Sequence, residues 1–413
     1  MRLVFYYPSR GIGGAQVLFQ RVCIELSNLD YKVAIISNKD CFLYQNLIQK
    51  GTNVGFIDID NISLSPDDVL VLSLDKAFQM KELNRINGNP RLVFWDLHPF
   101  NLVQWTLFSL FYKKYPLSFF VKILKRFEHK RISKIKRFLE VANDSGALFF
   151  MCQNNYRFNA KMFNVNFNPT YFPVAISEKY EGDLESVIPS KESIIRICWI
   201  SRLAVDKVKV LNQLISDIES SNCSSLNRIV LHIVGSGDAE HNIQKSKKIK
   251  IKMHGVLKGN DLTSHIRGMD LGFSMGMSAL EFAINCIPSI LVPSSAATQM
   301  DLKRDNKYMF LYDIEGYDVA VENYYSNDKR LKFQDVLLRI EKNKHLHAKK
   351  CYDYVLSSHL TPSVVKNMVR KIGSSSFYLN DFNKLNIEES TRLERVTLIV
   401  KKLIKNALEY KNK

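Results

Sequence analysis

Short apolar runs alternate with amphipathic stretches through most of this 413-residue chain. That alternation constrains the fold more than any other feature. RLVFYY, KVAIIS, NVGFIDI, DVLVLSL, RLVFWDL and ALFFMC occupy the first part. Runs of this length, too continuous to be half-exposed, read as strands buried on both faces, and the helical patterns between them read as the crossovers of parallel βα units. A polar stretch over 177–193 (SEKYEGDLESVIPSKES) interrupts the pattern, which restarts with IRICWIS, RIVLHIVG, IKMHGV, DLGFSM and SILVP. The chain is longer than one core usually supports, and its 46% hydrophobic content supports an ordinary globular interior. We therefore expect an α/β protein of two doubly wound, Rossmann-like domains, residues 1–180 and 190–372, followed by a basic helical tail over 373–413. Ligands of such sheets sit beyond the carboxyl ends of the strands, and two sheets facing each other would enclose a cleft.

Lys and Arg total 58 against 41 acidic residues, a formal charge of +17. This favours polyanionic partners: phosphorylated substrates, acidic lipid or nucleic acid. No nucleic-acid motif accompanies the charge, so nucleic acid is not expected as a partner. The seven cysteines are scattered singly without a CxxC pair, which argues against a zinc site or disulfide framework and for a reducing compartment. No apolar run reaches the roughly 18 residues of a spanning helix, and no signal-peptide pattern opens the chain, so a cytoplasmic protein is expected.

The site candidates cluster where runs give way to helices. PSRGIGGAQ places Gly13 and Gly14 between the first strand and a helical pattern, where glycine permits close approach and helix amides favour an anion; a plain tight turn reads equally well. WISRLAVDK sets Arg202 and Lys207 around the loop opening the next helix, a pair able to hold a diphosphate, though a solvated surface pair has the same spacing. LHIVGSGDAE adds Gly235 and Gly237, and IKMHGVL adds Gly255, all at strand ends. In MDLGFSMGMSALEFAINCIPSILVP a strand turns at Gly276 and Met277 into a helix whose early turns carry Glu281. Its amides can meet a phosphate or sugar oxygen, and Glu281 can accept from a ribose diol or simply complement the helix dipole.

The order GGAQ, SRLAVDK, VGSGD, MHGV and GMSALEFAINCIP resembles glycosyltransferase family 4, retaining enzymes of the GT-B fold that use nucleotide-sugar donors, with a layout matching residues 1 to about 370. The resemblance implies that Arg202 and Lys207 hold the donor diphosphate and that Glu281 binds the ribose. It also implies that Gly13 and Gly14 lie beside the donor phosphates or acceptor, and that His98, in FWDLHPFN with Asp96, faces the donor sugar. Ser201 replaces the glycine of the family's G-R-L-x-x-x-K pattern, and Cys286 stands where that family usually has glycine. Phe273 stands where its first glutamate would fall, and phenylalanine cannot bond a sugar hydroxyl.

Residues 104–140 carry ten Lys or Arg among aromatic and aliphatic residues, against Glu128 and Glu140. Such a basic amphipathic segment suits an anionic leaflet; its alternative is a helix pair with a core-facing apolar side. RVTLIVKKLIKNALEYKNK in the tail reads as another basic helix, packed on the first domain or touching a membrane. The resulting expectation is a metal-independent, retaining transferase that takes a nucleoside-diphosphate sugar and no cofactor. It would act on a glycan or lipid-linked acceptor, with His98, Arg202 and Lys207 as its catalytic groups, at the inner face of the cell membrane. An epimerase of the same fold and a non-catalytic glycan- or membrane-binding homologue are the rival readings.

Overall fold

A computed structural model describes residues 1–7, 14–78, 86–103, 106, 117–177, 194–221, 228–295, 297, 299–322 and 325–387. Gly13, most of the expected boundary segment and the distal tail lie outside them. The chain forms two compact units, Met1–Pro173 with the segment from Val365, and Val174–Val364.

The first unit contains β1 (Arg2–Tyr6), α1 (Gly14–Asn28), β2 (Lys32–Ser37), α2 (Phe42–Gln49), β3 (Val54–Asp58), β4 (Asp68–Ser73) and β5 (Arg91–Asp96). It continues with α3 (Leu117–Phe127), α4 (His129–Asp144), β6 (Leu148–Phe150), α5 (Gln153–Phe163) and β7 (Thr170–Tyr171). The seven strands run parallel in the order β3-β2-β1-β4-β5-β6-β7, which reverses direction between β1 and β4. Each apolar run of the first part has become a strand. DVLVLS is buried along its whole length, as a strand covered on both faces requires. Trp95, fully buried, donates its indole N–H to the Phe172 carbonyl at 3.0 Å, so a large apolar side chain is interred with its polar atom satisfied.

The segment after residue 373 is not a separate appendage within the described residues. Phe377, Leu379 and Phe382 enter the core that holds Phe94 and Phe138. Leu92 N–H donates to the Phe377 carbonyl at 2.7 Å, and Leu379 N–H to that of Pro90 at 3.0 Å. Burying each of these side chains stabilises the unit by roughly 2 kcal/mol, reason enough for the chain to return here.

The second unit contains β8 (Ile195–Ile200), α6 (Val205–Ser220), β9 (Ile229–Val234), β10 (Lys250–Met253), α7 (Gly259–Arg267), β11 (Leu271–Ser274) and α8 (Met277–Ile284). After these come β12 (Ser289–Leu291), α9 (Gln299–Leu302), β13 (Met309–Phe310) and α10 (Phe333–Ser358); α11 (Thr361–Gly373) leads back to the first unit, where α12 (Leu379–Lys384) closes the described chain. Its sheet order is β10-β9-β8-β11-β12-β13, parallel except for β13. Here the order reverses between β8 and β11. One face is filled by Ile197, Trp199, Leu231, Ile233 and Phe273. The opposite face carries a smaller cluster, Cys198, Val234, Ile266, Met269, Phe282 and Ile287, as side chains alternate along each strand.

Candidate functional site

In an open α/β sheet the ligand crevice lies beyond the carboxyl ends of the two strands where the order reverses. In the second unit those strands are β8 and β11, and the motifs singled out from sequence sit on the loops that follow them and their neighbours. Their backbones interlock. Ser201 N–H donates to Val234 O at 3.1 Å, Leu203 N–H to Ser236 O at 2.9 Å, and Ala239 N–H to Leu203 O at 3.0 Å. Gly235 has φ +135°, and a Cβ there would lie 1.9 Å from the Ser201 carbonyl oxygen; one at Gly237 would lie 2.5 Å from that of Leu203. The two glycines are thus demanded by the close approach of the loops after β8 and β9.

Lys207 is the third residue of α6, whose N-cap, Ala204, offers no side-chain cap. Among the described residues its ammonium makes no hydrogen bond or ion pair, and it is half-buried. Burial pushes its pKa down to about 8, opposed by Asp206 and reinforced by Arg202. Arg202 itself is exposed. A helix start carries partial positive charge, so two cations there are unfavourable until an anion joins them. This is the electrostatic arrangement of a phosphate site.

Across the switch point, Gly276 is the N-cap of α8 at φ 71° and ψ −146°, a backbone conformation essentially reserved for glycine. It also leaves α8 without a side-chain cap. Met277 opens the helix and Glu281, half-buried, lies one turn further on. Phe273 is fully buried on β11, edge-on to Tyr308 at 5.2 Å and beside Phe333 at 5.7 Å. A side chain at this position points into the core, so phenylalanine here is a packing choice. Cys286 keeps a left-handed φ of 57° beyond the end of α8, with its N–H donating to Ala283 O and that of Ile287 to Phe282 O. Glycine is the usual occupant of such a helix end. A side chain adds about 1–2 kcal/mol of strain, against which Cys286 buries its thiol.

The first unit holds the other candidates. Gly14 is the first residue of α1. His98 is exposed just past β5, its Nδ1 accepting the Phe100 N–H at 3.2 Å, which leaves Nε2 as the protonated nitrogen of the neutral ring. Beneath it Asp96 is fully buried; burial, with the charge of Asp75, pushes its carboxyl well above the usual range. Asn159 donates to Asp96 Oδ2 at 2.8 Å, and the His98 backbone bonds the same carboxyl. Asp96 therefore anchors the turn that presents His98.

Sequence reasoning missed one group. His232, His254 and His265 bring ring nitrogens within 4.8 Å of one another. No short spacing motif marks them, because they come from β9, the residue after β10, and α7. A cavity of about 410 Å³ lined by Val205, Val208, Lys209, Asn212, Gln213 and Leu302 runs along the flank of α6.

Two Rossmann-like, doubly wound units of this topology define the GT-B class of α/β fold, and solved structures of that class match most of the chain. HepE of Anabaena, solved with UDP and glucose, has a TM-score of 0.54 at 11% identity, over 91% of this chain and 100% of HepE. Trehalose-6-phosphate synthase, OtsA, has a TM-score of 0.53 at 12% identity over 90% and 99%. A TarM variant of S. aureus, solved with UDP, α-GlcNAc-glycerol and Fondaparinux, has a TM-score of 0.52 at 10% identity over 90% and 99%. No family model matches the sequence, and no curated protein matches it. Among the described residues no helix is long and apolar enough to cross a membrane.

Proposed function

We propose that this chain is a glycosyltransferase that moves a sugar from a nucleoside-diphosphate donor to an acceptor hydroxyl. The observation carrying this reading is the Arg202–Lys207 pair at an uncapped helix start on the switch point of the second unit. The uncapped start of α8, with Glu281 behind it, supplies a second polar wall suited to ribose and phosphate. The HepE and TarM structures, which share the fold, hold UDP.

In the proposed reaction the bond from the sugar's anomeric carbon to the diphosphate oxygen breaks, and its electron pair stays on the phosphate. The acceptor oxygen attacks from the same face, with retention, and its proton passes to the leaving phosphate. Arg202 and Lys207 stabilise the charge that grows there, which is worth more in a site shielded from water. His98 is assigned to a sugar hydroxyl through Nε2–H. Protein cations, rather than a metal, supply the electrostatic stabilisation in this scheme.

The acceptor we favour is a lipid-linked surface glycan, met at the inner face of the cell membrane. The support is the outer side of α3 and α4. Their apolar stripes, including Phe120, Leu124, Ile132, Ile135 and Phe138, are core, whereas Phe119 and Phe127 are exposed among Lys122, Lys125, Arg126, Lys130 and Arg137. Basic residues beside exposed aromatics suit an anionic headgroup layer. The non-catalytic reading draws no support from Phe273, whose identity follows from packing.

Calorimetric titration with UDP, GDP, ADP, CMP and dTDP tests the donor site. One nucleoside diphosphate should bind, about tenfold or more weaker in Arg202→Ala and Glu281→Ala, since one charge-assisted hydrogen bond is worth roughly 1.5–3 kcal/mol. Binding by none of them, or binding indifferent to both substitutions, overturns the assignment.

A further inference from the structure

His232 is a buried residue on β9, on the same sheet face as Val234 and, across the strand pair, Cys198. His254 follows β10 directly and is pinned there by its N–H, which donates to Ile233 O at 2.9 Å. α7 lays Ile266 on this face and sets His265 next to it. The three rings converge. His232 Nδ1 and His254 Nε2 are 3.0 Å apart with their planes only 4° from parallel, and the His265 ring centre lies 4.3 Å from that of His254 and 5.5 Å from that of His232. His265 Nε2 is buried with no hydrogen-bond partner among the described residues.

This arrangement is unusual for a purely structural cluster. One proton can serve the His232–His254 contact, but the third imidazole presents a buried polar atom to two other rings and gains nothing. An unsatisfied buried group of that kind costs about 1–3 kcal/mol. An imidazole in its neutral form carries one nitrogen lone pair able to bind a metal ion.

Three imidazoles with no carboxylate or thiolate among them are a ligand set for zinc, cobalt, nickel or copper and a poor one for magnesium or calcium. At the Zn–N distance of about 2.0–2.1 Å, tetrahedral ligand nitrogens stand roughly 3.4 Å apart. The separations here, from 3.0 Å for the nearest pair to no more than 4.8 Å for any, bracket that value. Small rotations of the half-buried His254 and His265 rings would close the set.

We propose that His232, His254 and His265 form a binding site for a divalent transition-metal ion, best suited to zinc, with a fourth coordination position left for water or an exogenous ligand. The ion would join β9, the turn after β10 and α7. Gly235 N–H donates to Gly255 O at 2.6 Å in that same turn, so the clamp would also steady the loop that carries Gly235. The site is independent of the donor assignment and stands or falls separately.

The test uses the full chain without a histidine tag, freed of metal and titrated with zinc and with cobalt. One equivalent should bind per chain and raise the melting temperature. The cobalt form should show the visible absorption of a tetrahedral nitrogen-ligated ion without a thiolate charge-transfer band. His254→Gln and His265→Asn, both at half-buried positions, should each weaken binding at least a hundredfold, with circular dichroism of the metal-free protein unchanged. Absence of stoichiometric binding overturns the proposal. So does binding that survives both substitutions, or a thiolate band marking cysteine as the ligand.

Discussion

Replacing Lys207 by methionine separates stability from function at the site. The substitution keeps the aliphatic stem and removes the charge. Burial, reinforced by Arg202, lowers the folded pKa of Lys207 from its ordinary 10.5 to about 8. A base whose folded pKa is depressed binds its proton less tightly than the unfolded chain does. Stability therefore rises with pH between about 8 and 10.5, and the full penalty is present below 8. At about 1.4 kcal/mol per pH unit the ceiling is on the order of 3 kcal/mol. Because Lys207 is only half-buried, roughly 1–2 kcal/mol is the realistic share. Lys207→Met should thus raise the melting temperature at pH 7 by roughly 2–8 °C, and the gain should vanish near pH 10. The same variant should lose about ten- to a hundredfold in nucleotide affinity with one charge-assisted contact. Scanning calorimetry at the two pH values and isothermal titration with the preferred nucleoside diphosphate read both effects. A variant less stable than the parent at pH 7, or one that binds nucleotide undiminished, refutes the reasoning.

Two substitutions test the backbone and packing around this site. Gly235→Ala should cost about 3 kcal/mol or more, because the new Cβ would meet the Ser201 carbonyl oxygen at 1.9 Å in a φ region that side chains avoid; a loss under about 1 kcal/mol in urea unfolding would contradict this. Phe273→Glu, which places a carboxylate at the position suggested by the family pattern, should destabilise the second unit by about 4 kcal/mol or more without strengthening nucleotide binding, since it buries that carboxylate against Tyr308 and Phe333. A stably folded variant with tighter binding would show that the position reaches the ligand after all.

Much of the architecture was legible in the chain. Parallel strands covered on both faces must be continuous apolar runs, so RLVFYY, KVAIIS, DVLVLSL and their counterparts after residue 194 mark two doubly wound sheets in the sequence itself. Gly235, Gly237 and Gly276 were equally visible, because only glycine tolerates a carbonyl within 3 Å of its Cβ position or a φ of +71° with ψ near −146°. Arg202 and Lys207 stood out for the same local reason: charges set beside a helix start.

Other features depend on which surfaces meet, and local sequence carries no record of that. That residues 377–387 return to the first unit, with Phe377 and Phe382 in the core beside Phe94, is set by tertiary packing. The inward direction of Phe273 follows from its place on β11, paired between Trp199 and Ile290. The histidine group is the sharpest case. His232, His254 and His265 share no motif spacing, and only the parallel pairing of β9 with β10, with α7 lying over that face, brings their nitrogens together. Patterns of burial and backbone tolerance are local, set by each residue's own side chain and its period along the strand or helix, and the sequence alone determined them. Convergence of side chains from distant elements is set by sheet register and helix placement, and only the tertiary structure decided it.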